Sequence, residues 1–407
     1  MATYQIEDKA LGPTEPARFV SPGDTSYDAD LERAYAAKVR PLCQCRTDVA
    51  LPLYIARRNG SLVLARMPGT GALHDPECDH FDAPRELNGL GAVEGRAVKE
   101  GEDGITELSL GFPLKRGPAR AAPEALTSDK PSLKSNGQKL SMRGLLHVLW
   151  DQAQLTRWHP RMAGKRDWFV VRRELLKAAD GCVAKRDNLA HRLFIPERWS
   201  DREKDAIARR QHETLGPVRM SRDAMMIVIG EVKEIKPGMR GERIVLRHLG
   251  NWSLSLDPEM TTRFYKRFEV ELALWDAHGD KGRLIIAASF ALNKAGYADI
   301  CEVALMPVTE TWLPYESAAE FGLVNQAVHE QRHFVKGMRV DLSRDVPIAS
   351  LLLKDTLPPC AVHVHCATGE EDYDAARALV MTVPGVAHAE WVPGTSLPST
   401  AISGHGA

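Results

Sequence analysis

The sequence predicts a multidomain α+β protein. The chain has 407 residues, which is enough for two or three domains. Segments with helical periodicity and segments with strand composition both recur along it. A stretch rich in proline, serine and lysine, residues 114–138, has the composition of a linker. Hydrophobic residues make up 44% of the chain and charged residues 26%, as is usual for globular domains.

The composition argues against several classes of protein. A net charge of −1 gives no global electrostatic bias towards a partner. No run approaches the roughly 20 apolar residues that cross a bilayer, and the N-terminus lacks the basic start and apolar core of a signal peptide. Seven cysteines, an odd number, fit a reducing compartment better than a disulfide framework. We therefore expect a cytoplasmic protein without membrane contact.

A β-hairpin is the first element that the sequence predicts. The strand-like segments Leu51–Arg57 and Ser61–Met67 flank Asn59-Gly60. Asn-Gly favours a two-residue hairpin turn because both positions need positive φ. Antiparallel pairing about this turn would place Cys45 opposite His74, so the hairpin would carry the residues on both of its flanks to one end.

Those flanks contain a Cys-x-Cys pair and a Cys-x-His pair. Thiolates and imidazoles are the ligands that a structural zinc ion prefers, four at a time in a tetrahedron. We predict a structural zinc site made by Cys43, Cys45, Cys78 and His80, with His74 as a replacement ligand or a group that orients one. This ligand order resembles the SWIM-type zinc finger, which would imply DNA binding or protein contacts. The 32-residue spacer is long for that class.

The most basic segment follows the linker. Between Lys139 and Arg210 there are 17 lysines and arginines against 9 aspartates and glutamates, a net charge of +8. Such a local excess is typical of a nucleic-acid-binding face, and a solvated helical surface is the alternative. We predict phosphate contacts from the densest basic run, namely Arg157, Arg161, Lys165, Arg166, Arg172 and Arg173.

The same segment has a recognisable order of elements. Helices are predicted at Ser141–Leu155 and Asp167–Ala179, a strand at Leu189–Ile195, and a further helix from Ser200, which begins a capping box. This order resembles a winged helix-turn-helix, and the resemblance implies DNA binding.

Residues 216–312 are predicted to be rich in β-structure. A helix should run from Asp257-Pro258 to about His278, because Asp at the N-cap and Pro at the first helical position are start signals. The expected strands are Met225–Val232, Arg243–Leu249, Trp252–Leu256, Arg283–Leu292 and Ala298–Val308.

The sequence of the C-terminal region predicts a helix, three strands, a helix and a strand, in that order. These elements are expected at Tyr315–His333, Val335–Leu342, Pro347–Lys354, Cys360–Cys366, Glu370–Val383 and Val386–Val392. The order resembles the restriction-endonuclease-like core, in which acids hold magnesium. That resemblance implies an acid on the first helix, a Pro-Asp pair on the second strand and an acid-x-Lys on the third.

The signature of that core is incomplete here. Glu316 and Glu320 match the helix acid, but Ile348 stands in place of the aspartate and His363-Val364-His365 in place of the acid and the lysine. We therefore predict a nuclease-like core with a degraded motif and no catalytic residue. The enzymatic alternative is a metal-dependent nuclease with a rearranged site that uses Glu316 and Glu320 together with Asp345 or Asp355. His363 and His365 share a strand face and could also bind a transition metal.

Over nearly its full length the chain resembles an uncharacterised bacterial family of conjugative plasmids and integrative elements. The resemblance rests on the segments at 66–71, 74–76, 157–162, 230–233 and 334–339. It implies a mobile-element context and no particular activity.

We therefore expect a non-catalytic, zinc-containing nucleic-acid-binding protein of a mobile genetic element, with DNA as the expected form and other element proteins as further partners. A protein-interaction adaptor is a second alternative. The expected division is a disordered arm at 1–30, a zinc module at 31–113, the linker, a winged-helix-like basic domain at 139–215, a β-rich region at 216–312, a nuclease-like core at 313–394 and a disordered tail at 395–407.

Overall fold

The protein is a mixed α+β structure built on several sheets, as the sequence predicts. The computed structural model describes residues 3–6, 18–58, 61–101, 104–116, 137–221, 223–238, 241–250, 252–294, 296–365 and 371–400. Most of the predicted linker and the end of the predicted tail lie outside these residues. No described helix is long and apolar enough to cross a membrane.

The first half of the chain contains β1 Tyr4–Ile6, β2 Arg18–Val20, α1 Tyr27–Ala36, β3 Leu42–Cys43, β4 Leu51–Arg58, β5 Ser61–Arg66, β6 Val98–Glu100, β7 Thr106–Leu108, α2 Met142–Gln152, β8 Arg157–Trp158, α3 Trp168–Asp180, β9 Cys182–Ala184, β10 Asp187–Asn188, β11 Leu193–Phe194, α4 Lys204–Thr214 and α5 Gly216–Met220. The second half contains β12 Met226–Pro237, β13 Glu242–Leu246, β14 Ser253–Leu256, α6 Pro258–Arg267, α7 Glu269–His278, β15 Gly282–Leu292, β16 Ala298–Thr309, α8 Ala318–His329, β17 Phe334–Lys336, β18 Leu351–Leu353, β19 Cys360–Val364, α9 Glu371–Val380 and β20 Ala387–Trp391.

The N-terminal sheet has the strand order β2-β1-β3-β4-β5. The predicted hairpin is present in the expected register, with Leu53 opposite Arg66. Its turn, Asn59-Gly60, lies outside the described residues. The disordered arm is wrong for the described part of residues 1–30, because Tyr4 and Ile6 are buried in the core and β1 pairs with both β2 and β3. Apolar side chains at alternate positions gain a buried face by joining the sheet.

A four-stranded sheet, β10-β9-β7-β6, joins residues from both sides of the linker. Helices α2 and α3 confirm the two helices predicted there and share one core with this sheet. The strand predicted at Leu189–Ile195 is wrong for most of its length, because Asn188 caps a 3₁₀ turn over Leu189–Arg192. The helix predicted from Ser200 begins at Lys204. Because β7 pairs in parallel with β9, the basic segment shares a sheet with residues that precede the linker.

The β-rich region forms a ring of strands. The six-stranded sheet has the order β11-β12-β13-β14-β16-β15, and its last five strands close into a ring because β12 also pairs with β15. All five predicted strands are confirmed, as is the helix start, where the Met260 N–H donates to Asp257 Oδ1 at 2.8 Å. The single predicted helix is two, α6 and α7, which meet at Phe268.

The C-terminal sheet has the order β20-β19-β18-β17-β8, with α8 and α9 in the predicted positions along the chain. The predicted order of elements is therefore confirmed, although the first two strands are shorter than expected. Strand β8, from the basic segment, pairs with β17 at one edge. The start of the predicted tail is packed, because Leu397 is buried and Arg332 donates to the Pro398 carbonyl at 2.7 Å.

Candidate metal centre

Two separate parts of the N-terminal region bring metal-ligating side chains together. Cys43 ends β3 and pairs with Tyr4 on one side and Leu51 on the other. The chain turns after it, so Cys43 does not continue the hairpin ladder. On the other flank, the Cys78 N–H donates to the Asp75 carbonyl at 2.8 Å. This tight turn brings Cys78 back towards His74.

The structure thereby places Cys43, Cys45, His74 and Cys78 in one cluster, with one ligand atom of each within 4.8 Å of the others. The Sγ atoms of Cys43 and Cys78 are 3.7 Å apart. His74 Nδ1 is 3.4 Å from Cys45 Sγ and 3.8 Å from Cys78 Sγ. Tetrahedral ligands at the usual metal–ligand lengths would be separated by about 3.8 Å for two sulfurs and about 3.6 Å for sulfur and nitrogen. These three distances therefore match a tetrahedral metal site, and the remaining ligand atoms lie within 4.8 Å of one another.

The surroundings favour a thiolate at one cysteine of this cluster, Cys78, whereas burial raises the pKa of Cys45. The Asp75 N–H donates to Cys45 Sγ and the His80 N–H donates to Cys78 Sγ, each at 3.4 Å. The hydrogen bond from Cys43 lowers the pKa of Cys78 to about 3. The same contact, followed by burial, raises the pKa of Cys43, so the two sulfurs share one proton. Thiolate is the form of cysteine that binds a metal.

His80 does not belong to the cluster, and His74, the predicted alternative, takes the fourth place. The His80 ring centroid is 5.6 Å from that of His74, and its Nε2 is buried without a hydrogen-bond partner. Extending the β4–β5 register beyond the hairpin could not distinguish His74 from His80. Cys43 pairs with Leu51 and so lies outside that register, and the chain turns tightly after His74.

The predicted nucleic-acid contacts divide into packed and exposed residues. Arg157 in β8 donates to the Asp79 carbonyl at 2.7 Å and pairs with Asp82. Arg166 donates to the carbonyls of Leu155, Arg157 and Thr311, and burial lowers its pKa to about 10. Arg172 donates to the Ile195 carbonyl at 3.0 Å. By contrast, Arg161, Lys165 and Arg173 are exposed.

The acids of the nuclease-like signature are held by basic side chains. Glu320 pairs with buried Lys336 at 3.1 Å, and Glu316 with Arg339 at 2.8 Å. Asp355 receives two hydrogen bonds from Arg332, at 2.8 and 2.9 Å. These carboxylates therefore serve as partners in ion pairs.

The strand histidines pair separately. His363 Nε2 lies 3.2 Å from His388 Nδ1, and His365 Nδ1 lies 3.2 Å from Glu390 Oε2. The two histidines of the His-x-His segment thus contact different residues of the neighbouring strand β20. Among the described residues, neither belongs to a group of three or more possible metal ligands.

A cavity of about 220 Å³ lies between the N-terminal region, α2 and β17. Charged groups line it: Arg66 pairs with Asp82, and burial raises the pKa of Asp151 to about 6. Lys336 also reaches this wall. The segments at 66–71 and 334–339 both contribute to the lining, and Arg157 reaches Asp82 from a third. Asp82 and Asp151 lie in no motif, so no pattern in the sequence identifies them as lining residues.

The fold and the cluster define a mixed α+β protein with a Cys₃His group that could hold a metal ion. The chain belongs to the family described as "Protein of unknown function (DUF1173)", which it matches over residues 18–394. No curated protein and no solved structure matches the chain.

Proposed function

We propose that Cys43, Cys45, His74 and Cys78 hold a structural zinc ion in a non-catalytic nucleic-acid-binding protein of a bacterial mobile element. The observation that carries the zinc assignment is the convergence of three sulfurs and one imidazole nitrogen within 4.8 Å of one another, with three of their separations at tetrahedral values. Three thiolates and one imidazole are a ligand set that zinc takes in structural sites. Four protein ligands leave no open position for a substrate or an activated water, which supports a structural role.

Zinc at this position would fasten two regions together. The core around Cys43 and Cys78 also contains Leu87 of the following loop and Ala349 and Leu352 of the C-terminal region. Because binding energy at a structural zinc site contributes directly to folding, metal loss should loosen the N-terminal sheet and its contact with β18.

Substitution of single ligands tests this assignment. Cys43→Ser and His74→Gln should each lose the metal and lower the thermal stability. His80→Gln is the matched control for the histidine, since His80 lies beside the cluster and outside it. Cys301→Ser is the control for the cysteine. Metal retention by His74→Gln together with metal loss in His80→Gln would transfer the fourth position to His80.

Nucleic-acid binding is supported by the local charge of +8 between Lys139 and Arg210 and by the exposure of Arg161, Lys165 and Arg173. Of these, Arg173 already has an acidic partner, Glu174, at 2.6 Å. Arg161 and Lys165 make no ion pair among the described residues, so they are the best placed to meet phosphates.

The test is a salt titration of DNA binding. The double variant Arg161→Gln and Lys165→Gln should weaken binding, and each lost phosphate contact should reduce the slope of log K against log salt by about 0.9 for duplex DNA. Lys99→Gln with Lys281→Gln removes two exposed charges outside the basic segment and should leave the slope unchanged. Equal binding by both variants would remove this surface from the proposal and favour the protein-interaction adaptor.

We also propose that the protein does not catalyse a reaction. This proposal is supported by the engagement of Glu316, Glu320 and Asp355 with buried or half-buried basic groups. The protein should not cleave DNA with magnesium or manganese. Cleavage that Glu316→Gln abolishes would establish the nuclease alternative.

A further inference from the structure

The closed ring of strands in the β-rich region has a specific topology. Strand β12 pairs antiparallel with β13 and β15, β13 with β14, and β15 with β16, whereas β14 and β16 are parallel. The helices α6 and α7 connect β14 to β15, which are the third and fourth strands of the ring in chain order. A five-stranded Greek-key barrel of this kind is the architecture of the OB-fold.

Strand β12 serves both halves of the barrel, which requires it to bend. Its first half, Met226–Glu231, pairs with β15 and its second half pairs with β13. A bulge between Val232 and Glu234 marks the change. Gly230 precedes it, and a Cβ there would come within 2.9 Å of the Leu246 side chain. The missing side chain and the bulge allow the strand to curl and the ring to close.

The alternation along β13 and β14 shows which side chains face outwards. Ile244, Leu246, Leu254 and Leu256 are buried in the barrel core. The intervening residues therefore lie on the outer surface, since side chains alternate across a strand. They are Arg243, Val245, Ser253 and Ser255; Arg243 is exposed and the other three are half-buried. This outer face carries one strong cation and two small hydroxyl side chains, so a ligand can approach its backbone closely.

Two loops flank this face. Arg243 lies against Gly238 in the loop between β12 and β13, because a Cβ on that glycine would be 2.9 Å from Arg243 Cγ. On the other side, Tyr297 directly precedes Ala298, the partner of Leu254. Tyr297 is 55% exposed. Its loop is fixed by the Asn293 N–H, which donates to the Tyr297 carbonyl at 2.9 Å.

Charge and aromatic character together indicate the ligand. Arg243 and the exposed Lys294 make no ion pair among the described residues, while two acids near them, Glu234 and Asp299, have hydrogen-bond partners of their own. Glu234 accepts from Lys236 at 2.7 Å, and Asp299 accepts from Asn293 at 3.0 Å. An exposed aromatic ring beside uncompensated cations is the arrangement on which single-stranded nucleic acid binds, by base stacking and phosphate contact.

We propose that the outer face of β13 and β14, with Tyr297 as a stacking platform and Arg243 and Lys294 as phosphate contacts, binds single-stranded nucleic acid. This inference rests on the proposed nucleic-acid-binding function and adds the form of the ligand and a second surface, separate from Arg161 and Lys165.

The experiment measures fluorescence anisotropy of labelled oligo(dT) of about 16 nucleotides, the upper end of the range for one OB-fold, with the full chain. Tyr297→Ala should weaken binding by about 5- to 150-fold, which corresponds to the loss of one stacked base. Tyr297→Phe keeps the ring and should bind as the wild type does. Arg243→Gln should reduce the salt slope by about 0.7, the value for one contact with a single strand.

The outcomes separate this inference from the proposed function. If Tyr297→Ala and Arg243→Gln bind oligo(dT) like the wild type, while Arg161→Gln with Lys165→Gln does not, the barrel surface is refuted and the basic segment remains. If the chain binds neither oligo(dT) nor duplex DNA at low salt, both proposals fail. Displacement of oligo(dT) by a soluble oligosaccharide, the other ligand class of this fold, would also refute the assignment.

Discussion

The buried ion pair between Glu320 and Lys336 offers the sharpest test of how the C-terminal region is held together. Their side chains are 8% and 2% exposed, so water screens the pair very little. Glu320→Gln would leave the Lys336 ammonium buried without its anionic partner, since the new amide oxygen and the Gly337 carbonyl are both neutral acceptors. Loss of one partner from a buried pair costs about 3–5 kcal/mol, and we expect a loss of that size here.

The assay is urea unfolding followed by tryptophan fluorescence. The double variant Glu320→Gln with Lys336→Met removes both charges and should be more stable than the sum of the single effects by about 2 kcal/mol, because groups in contact are not additive. Glu330→Gln, an exposed glutamate at the end of the same helix, should change stability by less than about 0.5 kcal/mol. A loss below about 1 kcal/mol for Glu320→Gln would refute the structural role and return Glu320 to the nuclease alternative.

Two further predictions concern pH. Burial lowers the pKa of His147 to about 3, below its ordinary 6.5, so the unfolded chain protonates first and stability falls as the pH drops below about 6.5. Between pH 7.5 and 5 the wild type should lose about 2 kcal/mol more than His147→Gln. Burial raises the pKa of Glu302 to about 7, above its ordinary 4.5, so its contribution is present at low pH and is lost as the pH rises through 7. Glu302→Gln should therefore gain about 2–3 kcal/mol relative to the wild type from pH 5 to pH 8. Urea titrations at both pH values measure each difference, and a difference independent of pH would contradict the corresponding prediction.

Local signals account for much of the fold. The near-continuous apolar runs of β12, β15 and β16 identify strands because most of each strand is buried on both faces. The Asp257-Pro258 start is specified by its own cap. The same local reasoning missed β1, because a three-residue strand is recognisable only beside the strands with which it pairs.

Contacts between distant segments account for what the sequence did not reveal. Nothing in the sequence near Arg157 shows that it lies in an edge strand beside β17 and pairs with Asp82. Closure of the barrel likewise depends on the pairing of β12 with β15, more than 50 residues later in the chain. Local periodicity identifies such strands but not their neighbours, and this is why the charge of the basic segment overstated the number of arginines free to bind a ligand.

The ligands of the metal centre also could not be assigned from local sequence patterns alone. Residue type and spacing indicated all five candidates, but the choice between His74 and His80 depends on the turn that begins at Asp75. His80 sits two residues beyond Cys78, where its ring packs beside Tyr4.

X-ray absorption at the zinc edge of the purified protein tests the proposed Cys₃His zinc site. We expect one zinc per chain with three sulfur ligands at about 2.3 Å and one nitrogen at about 2.0 Å. The spectrum of His80→Gln should be identical to that of the wild type, whereas His74→Gln should lose the nitrogen or the metal. A ligand shell with two sulfurs and two nitrogens, a shell of oxygen and nitrogen alone, or protein without zinc would contradict this assignment.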